Sequence, residues 1–375
     1  MKHICFLSSV FGREDALIVY RQGISLIQAG YRVSFLLCDG LPNEVKFGIE
    51  MISVGNIQPT QKKRLMVNPS ILKNYILSHN YKSDVYQISE PELLPLGLFL
   101  KRKGFKVVFN MREYYPVYFS LKFKNKLLSQ FVNKGIECYF KHIAKKYDAI
   151  FNCMPEMTNY IRNVMPCNYF EDVANYPIIH KDFILTYEEY CSRKNIISYF
   201  GTIYNISCQE EFLDAISVIP NVKYLLAGVI SDLYKKKLMA KEGWKKVIFK
   251  NGFTRDELSC IINCSVIGNV MKDFNQTETP QGSYSIIKIF ESMEAAIPVI
   301  LAKVPLYEEM VAKYHCGICV DPHNVEEIRA AVLYLIEHKR EAYEMGQNGR
   351  RAVIEKFSWN SQAKGYLNVI NELTK

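Results

Sequence analysis

Short apolar runs alternate with longer amphipathic stretches along most of the chain. Ile4–Leu7 is an apolar run of strand length, and a polar loop, Ser8–Asp15, follows it. Over Ala16–Ala29 the apolar positions recur at helical spacing, and Gly30 stands where such a helix would be capped. Tyr31–Leu37, Asp84–Ile88, Lys106–Phe109 and Ala149–Cys153 read as further strands, with a helix over about Glu92–Lys103. Asn175-Tyr176-Pro177 has the look of a linker, and the pattern then restarts. Ile196–Phe200, Lys223–Ala227, Val247–Phe249, Ser265–Asn269 and Pro298–Leu301 are strand-like, and Glu210–Ile219 is helical. Strands separated by helices predict parallel sheets covered on both faces. The expected fold is α/β, with two Rossmann-like domains facing across a cleft. The expected domains are 1–177, 178–356 and a C-terminal helix, 357–375, that packs back toward the first domain. Ligands of open parallel sheets bind at the carboxyl ends of the strands, so the chemistry is expected there.

Size agrees with two domains: the chain has 375 residues, 49% of them hydrophobic. The first apolar run is too short for a signal peptide and no stretch is long enough to span a bilayer. Eleven cysteines, odd in number and scattered, point to reduced thiols in a cytoplasm. Cys316 and Cys319 have CxxC spacing, but no second pair matches it, so a strand reading is preferred to zinc. The net charge of +9 is uneven, with seven lysines and one acid, Glu137, between Lys122 and Lys146. Interleaved with them are Phe123, Leu127, Leu128, Phe131, Val132, Ile136, Tyr139, Phe140 and Ile143. Such a helix either rests on anionic lipid headgroups at the inner face of the cell membrane or packs its apolar face on its own domain. No nucleic-acid-binding motif accompanies the charge.

The glycine fingerprint of dinucleotide-binding proteins is missing, since the loop after the first strand has one glycine, Gly12. The informative stretch is Ser285–Ile300. Lys288 and Glu291 stand three apart near the expected start of a helix, so they share a face. Free backbone N–H groups at a helix start attract an anion, an ammonium strengthens that attraction, and a carboxylate one turn inside can accept both hydroxyls of a ribose. An ordinary surface Lys–Glu pair has the same spacing.

Ser285–Ile300 resembles the signature of family 4 glycosyltransferases, which have the GT-B fold. Ser8–Val33, Asp84–Tyr86 with Glu90–Gly97, Asn110–Pro116, Asn175–Pro177, Gly201–Ile203, Asn251–Phe253, Cys316–Pro322, Gly349-Arg350 and Phe357–Trp359 are similar to other segments of that family, in the same order. The resemblance implies an N-terminal acceptor domain and a C-terminal nucleotide-sugar domain. In the latter, Glu291 would hold the ribose and Lys288 would neutralise the diphosphate. Gly201 and Thr202 would bring backbone close to the phosphates. Gly252 and Phe253 would lie near the base, and Ser283, Tyr284, Ser285 and Ile286 would offer backbone N–H groups. Gly12, Glu90 and Tyr114 would serve the acceptor, and Arg112 and Glu113 would act with Glu291 in catalysis. No metal or other cofactor is implied.

Four departures stand out: Ser283 where the family has an acid, Arg112 for a histidine, Gln87–Glu90 for its histidine-containing run, and Ser207-Cys208 for Arg-Gly. Glu278 is acidic but out of register. Lys272 or Arg112 would replace the missing cation. Alternatively, Arg112 pairs with Glu113 or Glu90. The activity implied is transfer of a sugar, with retention, from a UDP- or GDP-linked donor to a saccharide acceptor. That acceptor would be polyprenyl-diphosphate-linked, in bacterial surface-polysaccharide assembly such as O-antigen or capsule. A non-catalytic GT-B subunit and a nucleotide-sugar 2-epimerase are the alternatives.

Overall fold

The computed structural model describes residues 1–58, 60–121, 123, 125–180, 182–277 and 279–375. Glu278 and Lys122 thus lie outside the described residues. The chain divides into two compact units: Met1–Asn175 together with Trp359–Lys375, and Tyr176–Ser358.

The first unit holds eight strands: β1 (His3–Leu7), β2 (Arg32–Leu37), β3 (Glu44–Lys46), β4 (Ile49–Ser53), β5 (Val85–Ile88), β6 (Lys106–Met111), β7 (Ala149–Asn152) and β8 (Tyr169–Asp172). Their order across the sheet is β3-β4-β2-β1-β5-β6-β7-β8, parallel throughout except for the β3–β4 hairpin. Alternation along β1 explains why both faces are covered. Cys5 and Leu7 enter one core, with Leu94, Phe109 and Phe140, whereas Ile4 and Phe6 enter the other. That second core also takes Trp359, Tyr366 and Ile370 from the helix Trp359–Thr374.

The second unit holds β9 (Ile196–Phe200), β10 (Lys223–Ala227), β11 (Val247–Lys250), β12 (Ile267–Asn269), β13 (Val299–Ala302) and β14 (Gly317–Val320). Here the order is β11-β10-β9-β12-β13-β14, all parallel. The chain goes from β9 outward to β10 and β11, then returns to β12 on the other side of β9. The loops after β9 and β12 therefore diverge, which opens a crevice at the carboxyl edge. In the first unit the loops after β1 and β5 diverge for the same reason.

Several elements differ from the sequence reading. Ala16–Gly23 is wound as a π-helix, N-capped by Asp15, and only Ile24–Gln28 is α-helical. The β3–β4 hairpin, β8 and the helix Gln61–Ser78 were not anticipated. That helix carries Pro69 and has no sustained apolar stripe, so periodicity does not announce it. All eleven cysteines are free, and Cys319 lies in β14. The basic segment forms the helix Lys126–Ala144, but its apolar face is divided: Phe140 and Ile143 are buried, while Leu127 is 69% and Phe131 75% exposed.

Candidate functional site

A pocket of about 290 Å³ opens at the crevice between β9 and β12. Six of the residues expected to serve the donor line it: Gly201, Thr202, Lys272, Ser285, Ile286 and Lys288. Tyr204 and Ser207 complete the β9 side. Gly201 leaves β9 with φ +116, and a Cβ there would come within 3.2 Å of the Lys288 ammonium. A side chain at this position would fill the approach to that cation.

The helix Ile287–Glu294 begins at the pocket, and no side chain caps its N-terminus. The Ile289 N–H donates to the Ile286 carbonyl at 3.2 Å, and Ile286 has no side-chain oxygen to offer the N–H groups before it, which suits an anion site. Lys288 lies in the first turn, half-buried, with its ammonium 3.9 Å from the centre of the Tyr199 ring. Burial pushes its pKa down to about 7, with the Glu291 charge pulling the other way. Phosphate oxygens entering the pocket would supply the charge that this ammonium lacks.

Glu291 is on the same helix but not in the pocket wall. Its carboxylate is 6% exposed and pairs with Arg255 at 2.5 Å. Arg255 is the first residue of the helix Arg255–Asn263, which follows the turn at Gly252 and Phe253. The Phe253 ring is turned edge-on to Phe200, and neither Gly252 nor Phe253 lines the pocket. Ser283 and Ser285 spend their amides inside the loop: Ser283 N–H donates to the Tyr307 hydroxyl at 3.3 Å and Ser285 N–H to Ser283 Oγ at 3.1 Å. Those two N–H groups are therefore not presented to a ligand in this conformation, contrary to the sequence expectation. The Tyr284 ring packs against Phe290 and Phe357.

In the first unit, Glu90 sits at the carboxyl end of β5 and is 3% exposed. It accepts hydrogen bonds from the Ser8 hydroxyl and from the amides of Ser9 (3.1 Å) and Val10 (3.0 Å). Its Oε2 makes no hydrogen bond among the described residues. Burial pushes its pKa up to about 7; the Ser8 hydroxyl opposes that shift and the nearby Glu92 charge adds to it. Glu90 thus organises the first loop, and Gly12 is exposed with open space where a Cβ would be.

Arg112 pairs with Asp15, at 3.0 and 3.3 Å, and lies over the Phe11 ring at 4.3 Å. The partners expected for an ion pair, Glu113 and Glu90, are replaced by a residue 97 positions away that also caps the π-helix. Glu113 is exposed beside it. Tyr114 corrects the acceptor reading: its side chain is fully buried and its hydroxyl donates to Glu137 at 2.8 Å, so it serves the core.

The sequence reading missed Asp15, Tyr199 and Arg255. Only Arg255 had a local signal. It begins a helix whose start is marked by the capping box of Thr254 and Glu257, two residues past a predicted site turn. Among the described residues, no three potential metal ligands stand together.

A family model, glycosyl transferases group 1, matches residues 286–352, which include Lys288 and Glu291. An MMP alpha-(1→4)-mannosyltransferase of Mycolicibacterium hassiacum is 25% identical over 130 residues. The aligned stretch is 34% of this chain and 30% of that protein's length. Sucrose-phosphate synthase from Thermosynechococcus elongatus has a TM-score of 0.75 and 16% identity, covering 100% of this chain and 99% of its own. Anabaena HepE, solved with UDP and glucose, has a TM-score of 0.74 and 13% identity, covering 99% and 100%. The two parallel-sheet units have the fold of these GT-B structures.

Proposed function

We propose that the protein is a glycosyltransferase that binds a nucleoside diphosphate sugar in its second unit and moves the sugar, with retention, to a saccharide acceptor. The observation that carries this reading is the pocket at the β9–β12 crevice, where an uncapped helix start meets the Lys288 ammonium and Lys272. A diphosphate needs that combination of N–H groups and cations. The matched family model covers the same helix, and HepE, alike in fold, was solved with UDP.

On this reading Lys288 and the helix start take the negative charge that builds on the departing diphosphate, so no metal enters the proposed chemistry. The bond to the diphosphate breaks, the anomeric carbon becomes oxocarbenium-like, and the acceptor hydroxyl attacks from the face the diphosphate leaves, its proton passing to the departing diphosphate. The acceptor is assigned to the first unit, near Glu90 and Arg112, and is a polyprenyl-diphosphate-linked saccharide of surface-polysaccharide assembly. The test is incubation with UDP- and GDP-sugars, with and without such an acceptor, and NMR of the product's anomeric centre. Transfer with retained configuration is expected only when acceptor is present. Conversion of donor without acceptor would indicate an epimerase, and no binding of either donor class would overturn the proposal.

A lipid-linked acceptor calls for contact with a membrane surface. Among the described residues no helix is long and apolar enough to cross one. Near the start of Lys126–Ala144, however, Phe123, Leu127, Leu128 and Phe131 are exposed beside Lys126 and Lys134. Apolar side chains ringed by ammonium groups suit anionic headgroups. Cosedimentation with vesicles containing anionic lipid is expected, with little on zwitterionic vesicles. Replacing Leu127 and Phe131 together by serine should weaken it at least about tenfold, since each buried apolar side chain is worth roughly 1.5–3 kcal/mol. Equal binding by wild type and the double variant would reject this surface.

A further inference from the structure

We propose that Arg255 is the positioning residue for the donor's ribose: it holds the Glu291 carboxylate in a fixed orientation, so that the carboxylate can accept from the ribose hydroxyls. The proposal rests on the reading of the Lys288 pocket as the donor site.

Glu291 lies on the helix that begins at that pocket, one turn beyond Lys288, and is 6% exposed. A carboxylate so removed from water needs a charged or hydrogen-bonding partner. Arg350 is taken by Glu294 at the end of this helix, at 2.8 Å, and two other cations bear on Glu291. The Lys288 ammonium is turned toward Tyr199 and Gly201, on the pocket side. The Arg255 guanidinium lies directly on the carboxylate, 2.5 Å from Oε1. The two cations are thus divided between two anions: Lys288 faces the place of the diphosphate, and Arg255 faces Glu291.

Arg255 owes this position to its own helix. Thr254 caps the helix, and Glu257 closes the capping box by accepting from the Thr254 amide at 2.8 Å. Leu258, Ile261 and Ile262 then pack with Ala295 and Ile297, just past the end of the Glu291 helix, in one core. The two helices are therefore held together by apolar contacts that do not involve the ion pair. A cation in the first turn of a helix opposes the helix dipole, so this placement gains nothing locally. Its compensation is the contact with Glu291. Glu257, an acid of the same turn, is taken by Lys250 at 2.8 Å.

Ribose hydroxyls are neutral donors, and they bind best to an ionised, fixed acceptor. A carboxylate has lone pairs enough to hold a guanidinium at one oxygen and still accept from hydroxyls. Arg255 need not touch the donor: its effect passes through Glu291.

The experiment is a cycle between the protein and the ligand. Calorimetry would give the Kd of UDP and of GDP, each with its 2′,3′-dideoxy analogue, for wild type, Arg255→Gln and Arg255→Lys. For the nucleotide that wild type binds, Arg255→Gln should weaken the ribose form about tenfold, which is about 1.4 kcal/mol, and the dideoxy form less than about twofold. Arg255→Lys should recover part of the loss, because a point charge keeps the attraction to the carboxylate without the fixed plane of the guanidinium. Equal loss for both ligand forms would overturn the inference, because Arg255 would then act on the base or on the fold. No loss for either would also overturn it. If wild type binds neither nucleotide, the donor-site reading itself fails, a result separate from any effect of Arg255.

Discussion

Replacing Lys288 by alanine should lower kcat/KM for the nucleotide-sugar by about 10²- to 10³-fold, the usual cost of removing one preorganised group that stabilises charge in the transition state. Most of the loss should fall in kcat, because the charge on the leaving diphosphate grows as the glycosidic bond breaks. The ammonium suits this role because, among the described residues, no carboxylate forms an ion pair with it. It lies over the Tyr199 ring, while Glu291 is engaged by Arg255.

The same residue sets a pH dependence. In the donor-free protein burial holds the Lys288 pKa at about 7. Below that pH the ammonium is present before the ligand arrives; above it, binding must take up a proton. Donor affinity should therefore be level below pH 7 and fall by up to about tenfold per unit above it. A nucleotide-sugar diphosphate is a diester without an ionisation in this range, so the slope belongs to the protein. Calorimetry in buffers of different ionisation enthalpy would report the proton uptake. In Lys288→Ala both the slope and the uptake should vanish. A flat affinity between pH 6 and 9 in wild type would contradict the assignment.

Gly228→Ala should destabilise the second unit by about 3 kcal/mol, among the larger effects of single substitutions. Gly228 follows β10 with φ +149, and a Cβ there would lie 1.7 Å from the Gly201 carbonyl oxygen. The clash is with backbone, so no side chain can turn aside to relieve it. Gly201 N–H also donates to Ala227 O at 3.0 Å, so the two turns are locked together. Any displacement of Gly201 moves the wall that faces Lys288. A fall of Tm by roughly 6–12 °C is expected for a unit of this size, together with weaker donor binding. A variant that melts within about 1 °C of wild type and binds donor normally would show that these turns have more slack than their spacing implies.

The sequence by itself determined the central strands of both sheets and several helices, because burial on one or two faces writes a period of two or of 3.6 into neighbouring positions. Ile196–Phe200 and Lys223–Ala227 carry that signal strongly and are strands with those very ends. The helix that starts at Ile287, with Lys288 and Glu291 on one face, could be found in the same way, since i,i+3 spacing is local, although no side-chain cap marks its start. Gln61–Ser78 escaped, because its polar and apolar residues trace no continuous stripe.

Only the tertiary structure decided what each charged group meets. Arg112 finds Asp15 across 97 positions, and Glu291 finds Arg255 across 36. It also decided that Ser283 and Ser285 turn their amides inward, that Tyr114 is core, and that Phe131 is left in water while Phe140, on the same helix, is covered. Local spacing governs which residues share a face. Which element covers that face depends on strand order and on the path of distant loops, and no short-range pattern carries that information.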